Sequence, residues 1–205
     1  FNVNARNLRL RRSMTVAVVV EMTPSVERQM SGPYPLDLLG GITQELTSSG
    51  YSVLLTSLAA SPLPSVKAAD GVILLSGVAA GPLERAVAAV REGAEAAGRR
   101  FEDLEITVSA HSLVTDDIER DARIMKPIAA AIAQMGGAQA LAAAGIEVSV
   151  PAHVPEVVPD LVHAEDWDHA VEVCSRWISD DDAVAFARAF GLFGTPEEIV
   201  ERIRA

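Results

Sequence analysis

The sequence has a single cysteine, Cys174, so it cannot form an internal disulfide bond. No apolar run approaches the roughly 20 residues that a membrane-spanning helix needs, and no N-terminal apolar core precedes a small-residue cleavage site. We therefore expect a cytoplasmic protein with no membrane partner. Aromatic residues make up only 4% of the chain, and the formal net charge is −11. This acidity argues against a specific nucleic-acid partner.

The first dozen residues are the exception to this acidity, because four arginines lie there. They are Arg6, Arg9, Arg11 and Arg12. With the rest of the chain acidic, we expect at most a weak, salt-sensitive attraction to nucleic acid from this segment.

Continuous apolar runs are what the sequence has in abundance, and residues 71–76 are the clearest of them. Four apolar residues between two glycines, without alternation, are typical of a strand buried on both faces of a parallel sheet. Similar runs predict five parallel strands, near residues 15–20, 51–58, 71–76, 104–110 and 189–193. The predicted fold class is α/β, a mainly parallel open sheet of the flavodoxin-like or Rossmann-like kind with helices on both faces. The alternative is part of a (β/α)8 barrel, and the strand order distinguishes the two.

The predicted helices are marked by apolar residues at helical spacing and by the turns that end them. Pro127 lies inside the helical pattern 118–132 and should kink or divide it. Prolines between 148 and 161 exclude a long regular element there. Thr195 as N-cap, followed by Pro196 and two glutamates, predicts a helix start. The other predicted helices span 36–46, 83–94, 139–144, 167–178 and 181–188.

Two family resemblances meet in the chain. The runs 4–20 and 33–55 resemble the LacI-type repressor family, which implies a hinge-like segment at 1–12 and a βαβ unit at 13–58. With no DNA-binding head in the sequence, we expect no base-specific DNA binding.

The runs 69–77, 84–99 and 191–199 carry the second resemblance. They are similar to the luciferase-like family of flavin- or deazaflavin-dependent oxidoreductases, whose members are (β/α)8 barrels. This resemblance covers residues 60–205 and implies the second half of such a barrel. The resulting interpretation is a single α/β domain at 13–205, made of a repressor-like part at 13–58 and a half-barrel-like part at 60–205.

The best candidate site is the turn that contains Gly191, Gly194 and Thr195. A strand that leads through glycine into a helix N-terminus presents backbone N–H groups and the positive end of the helix dipole to an anion. This predicts binding of a phosphate. The alternative is a well-capped helix start, since Glu197 and Glu198 would repel an anion.

Two further candidate positions follow predicted strands, at the edge where α/β proteins place ligands. Ser76 and Gly77 are predicted to line a cofactor site there. Ser109 and His111 follow the strand predicted at 104–110, with His111 as the catalytic candidate because imidazole transfers protons near neutral pH. The alternative is a solvated loop histidine. The acidic and histidine-containing clusters at 163–169 and 180–182 lack the spacing of a metal site, so no metal is expected.

These features support three functional interpretations. The favoured one is a recombined or engineered α/β chain without a complete active site. It would require no cofactor but would retain weak binding of a phosphate-bearing small molecule, FMN or a deazaflavin coenzyme. The second is a luciferase-like oxidoreductase, and the third is a small-molecule-binding fragment of a LacI-type regulator. A homodimer is left open.

Overall fold

The computed structural model describes residues 12–20, 33–58, 63–75 and 77–204. The strands are β1 Thr15–Val20, β2 Ser52–Ser57, β3 Gly71–Leu74, β4 Glu105–Val108, β5 Ser112–Val114 and β6 Leu192–Gly194. The α-helices are α1 Pro33–Ser48, α2 Ala80–Ala96, α3 Ile118–Asp121, α4 Lys126–Ile132, α5 Ala138–Ala143, α6 Trp167–Cys174, α7 Asp180–Phe190 and α8 Pro196–Arg204. No helix in these ranges is long and apolar enough to cross a bilayer. The elements form two compact units: among the described residues the first contains 12–20 and 35–109, and the second contains 33–34 and 110–204.

The first unit is built on a four-stranded sheet in which every pair is parallel. Its strand order is β2-β1-β3-β4. β1 thus lies between β2 and β3, which is the order of an open doubly wound sheet and not of neighbouring barrel strands. The prediction of an α/β fold with a mainly parallel open sheet is confirmed for this unit.

One face of this sheet packs beneath α2. Alternate residues of β1 and β3 point to this face and meet small side chains of the helix. The fully or almost fully buried residues of this cluster include Ala17, Val19, Val72, Leu74, Ala86, Val90 and Ala94. Gly93 is needed in α2 because an added Cβ would lie 2.8 Å from the backbone carbonyl oxygen of Leu63. The helix therefore approaches the chain more closely than any larger residue would allow.

The opposite face of the sheet is covered in part by α1. Leu46 from that helix and Tyr51 border the same groove as Val16 and Ile73. Val18 on this face is fully buried. The two helices therefore lie on opposite faces, as right-handed crossovers require for this strand order.

The second unit contains a separate two-stranded sheet, formed by β5 and β6 in parallel. This corrects two strand predictions. The run predicted as one strand at 104–110 ends at Val108, and a second strand begins at Ser112. The strand predicted at 189–193 is confined to 192–194 and pairs with β5, because residues 189 and 190 still belong to α7.

The helices of the second unit are interrupted where the sequence predicts, at its prolines. The pattern at 118–132 divides into α3, a 3-10 turn at Ala122–Met125, and α4 with Pro127 in its first turn. This confirms that the proline interrupts the helix. Residues 148–161 contain no helix or strand, as the prolines predicted. α7 begins with a reciprocal capping box between Ser179 and Asp182.

A buried cation connects three helical segments of this unit. Lys126 at the start of α4 is only 2% exposed. Its Nζ donates a hydrogen bond to Ser175 Oγ at 2.9 Å and forms an ion pair with Asp180 Oδ1 at 2.6 Å. Asp180 also accepts Arg123 Nε at 3.1 Å. The hydrogen bond from Lys126 is the main reason that the pKa of Asp180 is lowered.

Candidate functional site

The carboxyl edge of the four-stranded sheet carries two of the predicted site residues. Ser109 follows β4 directly, and its N–H donates to the carbonyl of Leu74 at the end of β3 at 3.0 Å. Gly77 lies three residues beyond the end of β3, and its φ of +65° requires glycine. Gly77 and Ser109 both lie on this edge, whereas Ser76 lies outside the described residues. Their ligand roles stay predictions.

The N-terminus of α2 lies on the same edge, immediately after Gly77. Its N-cap residue is Ala79, so no side chain caps the first backbone N–H groups, and its first turn contains no acid. An added Cβ at Gly81 would lie 3.5 Å from Nη1 of Arg85, so the guanidinium reaches back over the first turn. Uncapped N–H groups, the positive end of a 17-residue helix and a guanidinium together favour an anion.

The N-terminus of α8 has the opposite character. Thr195 N–H donates to Glu198 Oε2 at 2.8 Å, and Glu198 N–H donates to Thr195 Oγ1 at 3.3 Å. An added Cβ at Gly194 would lie 2.5 Å from Glu198 Oε2. The carboxylate therefore occupies the position that a phosphate would need, and the structure shows the capped helix start. A phosphate role for Gly191, Gly194 and Thr195 stays a prediction that requires Glu198 to turn away.

His111 and Gly191 lie together at the amino end of the β5–β6 pair. Leu192 N–H donates to the carbonyl of His111 at 2.8 Å. An added Cβ at Gly191 would lie 2.9 Å from the ring of Phe193, so glycine allows this close approach. His111 lies in the loop 109–111 that follows β4, and it leads directly into β5. It is separated from Gly194 by the length of a three-residue strand, about 10 Å.

The protonation of His111 follows from its surroundings. Although His111 is exposed, the protein around its imidazole desolvates the ring and lowers its pKa. The neutral imidazole therefore dominates at neutral pH, with one nitrogen as donor and one as acceptor.

The carboxyl end of β5 is acidic and internally satisfied. Thr115 N–H donates to the carbonyl of Gly194 at 2.8 Å, and Thr115 Oγ1 donates to Asp121 Oδ2 at 2.6 Å. Arg120 binds both oxygens of Asp121, at 2.6 and 2.8 Å. Hydrogen bonds from Arg120 and then Thr115 lower the pKa of Asp121 to about 2. The carboxylate of Asp121 at this end is thus already bound by Arg120 and Thr115, and the acidic side chains here disfavour an anionic ligand.

A groove of about 650 Å³ lies on the face of the four-stranded sheet opposite α2. Two of its charged lining residues, Asp70 and Arg99, form hydrogen bonds within the fold. The carboxylate of Asp70 accepts the N–H groups of residues 13 and 14 at 2.9 and 2.8 Å, and Arg99 Nη1 donates to the carbonyl of Val66 at 2.8 Å. The groove lies towards the amino ends of the strands, which is the edge that α/β proteins do not use for ligands.

The second unit has a smaller cavity and no evident metal site among its described residues. A cavity of about 130 Å³ is lined mainly by residues 156–158 and 164–166. Within the described residues there is no cluster of three or more His, Cys, Asp or Glu side chains that could hold a metal ion.

The sequence analysis chose the helix start at Thr195 for the phosphate and did not single out the N-terminus of α2 or Arg85. The available signal was the absence of any capping or acidic residue between Gly77 and Leu83. That absence matters only for a helix that begins at the carboxyl edge of a sheet.

Comparison with known proteins gives two findings. The model of the luciferase-like monooxygenase family matches residues 65–205. Among solved structures, a coenzyme F420 dependent tetrahydromethanopterin reductase from Methanopyrus kandleri is similar, with 20% identity and a TM-score of 0.46. The match covers 78% of this chain and 42% of that one, so the chain spans less than half the length of the reductase. Comparison with curated proteins gives no match.

Proposed function

The chain belongs to the luciferase-like monooxygenase family, and on that premise we propose that it serves an oxidoreductase that uses a flavin or deazaflavin. The cofactor would carry out hydride transfer, and this chain would bind the phosphate group of the cofactor. The neutral imidazole of His111 remains the candidate proton-transfer group.

The observation that carries the proposal is the N-terminus of α2. It combines uncapped backbone N–H groups, a first turn free of acids, a left-handed glycine before it and the guanidinium of Arg85 above it. Gly77 and Ser109, both predicted from the sequence as cofactor-binding residues, lie on the same sheet edge. These features support placing the phosphate at the N-terminus of α2 in this proposal.

The other interpretations receive no support from the comparisons. Nothing in them matches the LacI-type resemblance of residues 1–58, and nothing supports a recombined chain that lacks an active site. The family match instead favours the oxidoreductase interpretation, which the sequence offered as an alternative.

The test is titration of the FMN or deazaflavin chromophore with the 205-residue chain. Arg85→Glu should weaken binding by about tenfold or more, because it places a carboxylate where the phosphate lies. Arg188→Glu is the matched control, since it makes the same charge change on an exposed residue of α7 and should leave binding unchanged.

A third variant distinguishes the two helix starts. Glu198→Gln should leave binding unchanged if the phosphate lies at α2, and should strengthen it if the phosphate lies at Gly194 and Thr195. Absence of chromophore binding, or wild-type binding by Arg85→Glu, would overturn the proposal. Reductase activity with the bound cofactor would establish that the chain is an enzyme. Binding without turnover would instead support the interpretation of a chain without a complete active site.

A further inference from the structure

The small cavity of the second unit is lined by the loop 156–158 and by the segment that leads into α6. Its volume is about 130 Å³. A protein cavity of about 150 Å³ can hold one benzene molecule, so this cavity suits a single side chain and is too small for a whole cofactor. Val157, Val158 and Ala164 provide its apolar lining, and Val157 is only 4% exposed.

Hydrogen bonds and an ion pair fix the residues that line the cavity. The N–H of Glu165 donates to the carbonyl of Val158 at 3.0 Å and so joins the two lining segments. Glu156 pairs with Arg176 at 2.9 Å. The side chain of Asp166 accepts the N–H of His169 at 3.0 Å as the N-cap of α6. The cavity is therefore formed before anything binds, which reduces the entropic cost of binding.

The charge around the cavity is negative. Residues 127–175 contain no lysine or arginine but seven acidic residues. Two of these, Glu165 and Asp166, line the cavity and are exposed, and no ion pair among the described residues engages either of them. The positive end of the α6 dipole amounts to about half a unit charge, which is less than the charge of Asp166 and Asp168 together. The cavity therefore favours a cation.

We propose that this cavity receives a lysine side chain from a partner protein. The aliphatic stem of the lysine contacts Val157 and Val158, and its ammonium group donates to the carboxylates of Glu165 and Asp166. Arginine fits less well, because its planar guanidinium needs both oxygens of one carboxylate and Asp166 already uses an oxygen in the helix cap. The surface lies within the second unit and does not depend on the cofactor proposal.

A second apolar surface beside the cavity suits the rest of a protein segment. Trp167 follows Asp166 and is half-buried, and its indole Nε1–H donates to the carbonyl of Ile124 at 3.1 Å. Ile124 is 42% exposed, and Val158 on the cavity lining is 58% exposed. Exposed apolar side chains next to unpaired carboxylates match a segment in which apolar residues flank a lysine. A free alkylamine would leave this surface unused.

The experiment is an NMR titration of the ¹⁵N-labelled 205-residue chain at pH 8, where an imidazole is uncharged. The probe is an acetylated and amidated peptide with one lysine flanked by leucines. We expect saturable shifts of the backbone amides in residues 156–158 and 164–169, with a dissociation constant on the order of 1 mM. The same peptide with norleucine in place of lysine lacks the charge and should bind at least about tenfold more weakly. Butylammonium lacks the flanking residues and should also bind at least about tenfold more weakly than the lysine peptide.

Three variants locate the binding. Ala164→Leu fills the cavity and should weaken the lysine peptide by about tenfold or more, with far-UV circular dichroism as the check of folding. Glu165→Gln combined with Asp166→Asn should weaken it by about tenfold or more while asparagine preserves the helix cap. Glu172→Gln is the matched control, because it removes an exposed charge of α6 that does not line the cavity, and it should change binding by less than about twofold.

Four results would overturn the proposal. The first is a norleucine peptide that binds as tightly as the lysine peptide. The second is a loss of binding in Glu172→Gln as large as in the double variant, which would indicate non-specific attraction to an acidic surface. The third is wild-type binding by the double variant or by folded Ala164→Leu. The fourth is butylammonium that binds as tightly as the lysine peptide, which would assign the cavity to a free amine and not to a partner protein.

Discussion

Neutralising Asp180 should destabilise the second unit more than removing Lys126 does. Lys126 is 2% exposed, so its ammonium depends on Asp180 and Ser175 for all of its described polar contacts. Asp180→Asn leaves a buried cation without its counter-ion. Lys126→Met removes the cation itself and keeps most of the buried hydrocarbon volume.

The magnitude follows from the exposure of the two partners. Removing one member of a fully buried pair costs about 3 to 5 kcal/mol. The side chain of Asp180 is 56% exposed, so water screens the pair and replaces part of what is lost. We expect Asp180→Asn to lower the free energy of unfolding by about 1 to 2 kcal/mol and Lys126→Met to lower it by less than about 1 kcal/mol. The double variant should resemble Lys126→Met.

Urea denaturation followed by tryptophan fluorescence is the assay. Trp167 and Trp177 are the chain's two tryptophans and both lie in the second unit, so the signal reports that unit. Asp181→Asn is the matched control, because it removes a neighbouring first-turn charge of α7 and tests the helix-dipole contribution alone. A larger loss for Lys126→Met than for Asp180→Asn would refute the reasoning.

The pH dependence provides a second check on the same pair. The pKa of Asp180 is lowered in the folded state from its ordinary value of 3.8, so the unfolded chain binds the proton first as pH falls. The stabilisation is complete above the unfolded value and is lost as pH falls through the folded one. The difference between wild type and Asp180→Asn should therefore be constant from about pH 5 to 8 and shrink below about pH 4.

Three further predictions concern other parts of the chain. Gly93→Ala should lower the free energy of unfolding by about 1 to 3 kcal/mol because its Cβ would press on the backbone of Leu63, whereas Gly40→Ala, with nothing within 4 Å, should raise it by up to about 1 kcal/mol; thermal unfolding compares them. Cys174 is buried, and desolvation raises its pKa to about 11, so it should react with a thiol reagent far more slowly in the native protein than in urea; equal rates would contradict this burial. Desolvation of the imidazole by the surrounding protein lowers the pKa of His111, so its NMR titration midpoint should lie below 6.5, and the contribution of this residue to stability should fall as pH drops through that value; a midpoint above 6.5 would be inconsistent with the structure.

The sheet was predictable where apolar runs were long and bounded by turns. β1, β2 and β3 lie within one to two residues of the predicted ranges, because a strand buried on both faces needs continuous apolar side chains. β5 was not predicted, since a three-residue strand carries no periodicity and no glycine or proline separates it from β4. The sequence therefore did not show that the loop with His111 leads directly into a second strand.

The sequence predicted the sheet edge at which the candidate site residues lie, but not the side chains that they contact. The sequence located Gly77 and Ser109 because loops follow parallel strands at one edge. It could not show that Glu198 folds back onto Thr195, since an acid three residues after an N-cap is compatible with either a cap or a free helix start. The ion pair between Lys126 and Asp180 could not be predicted from the sequence either, because the two residues are far apart along the chain and a single lysine forms no recognisable motif.

The position of β2 has a consequence for handling the protein. It is the terminal strand of the four-stranded sheet, and its six residues, Ser52–Ser57, contain no charge and no proline. Leu54 is 38% and Leu55 is 52% exposed. An uncharged, apolar edge is a template on which strands of other molecules can add, and fibrillar growth on storage should start there. Leu55→Lys would act as a gatekeeper, because a lysine opposes intermolecular strand addition while its aliphatic stem still lies on the sheet.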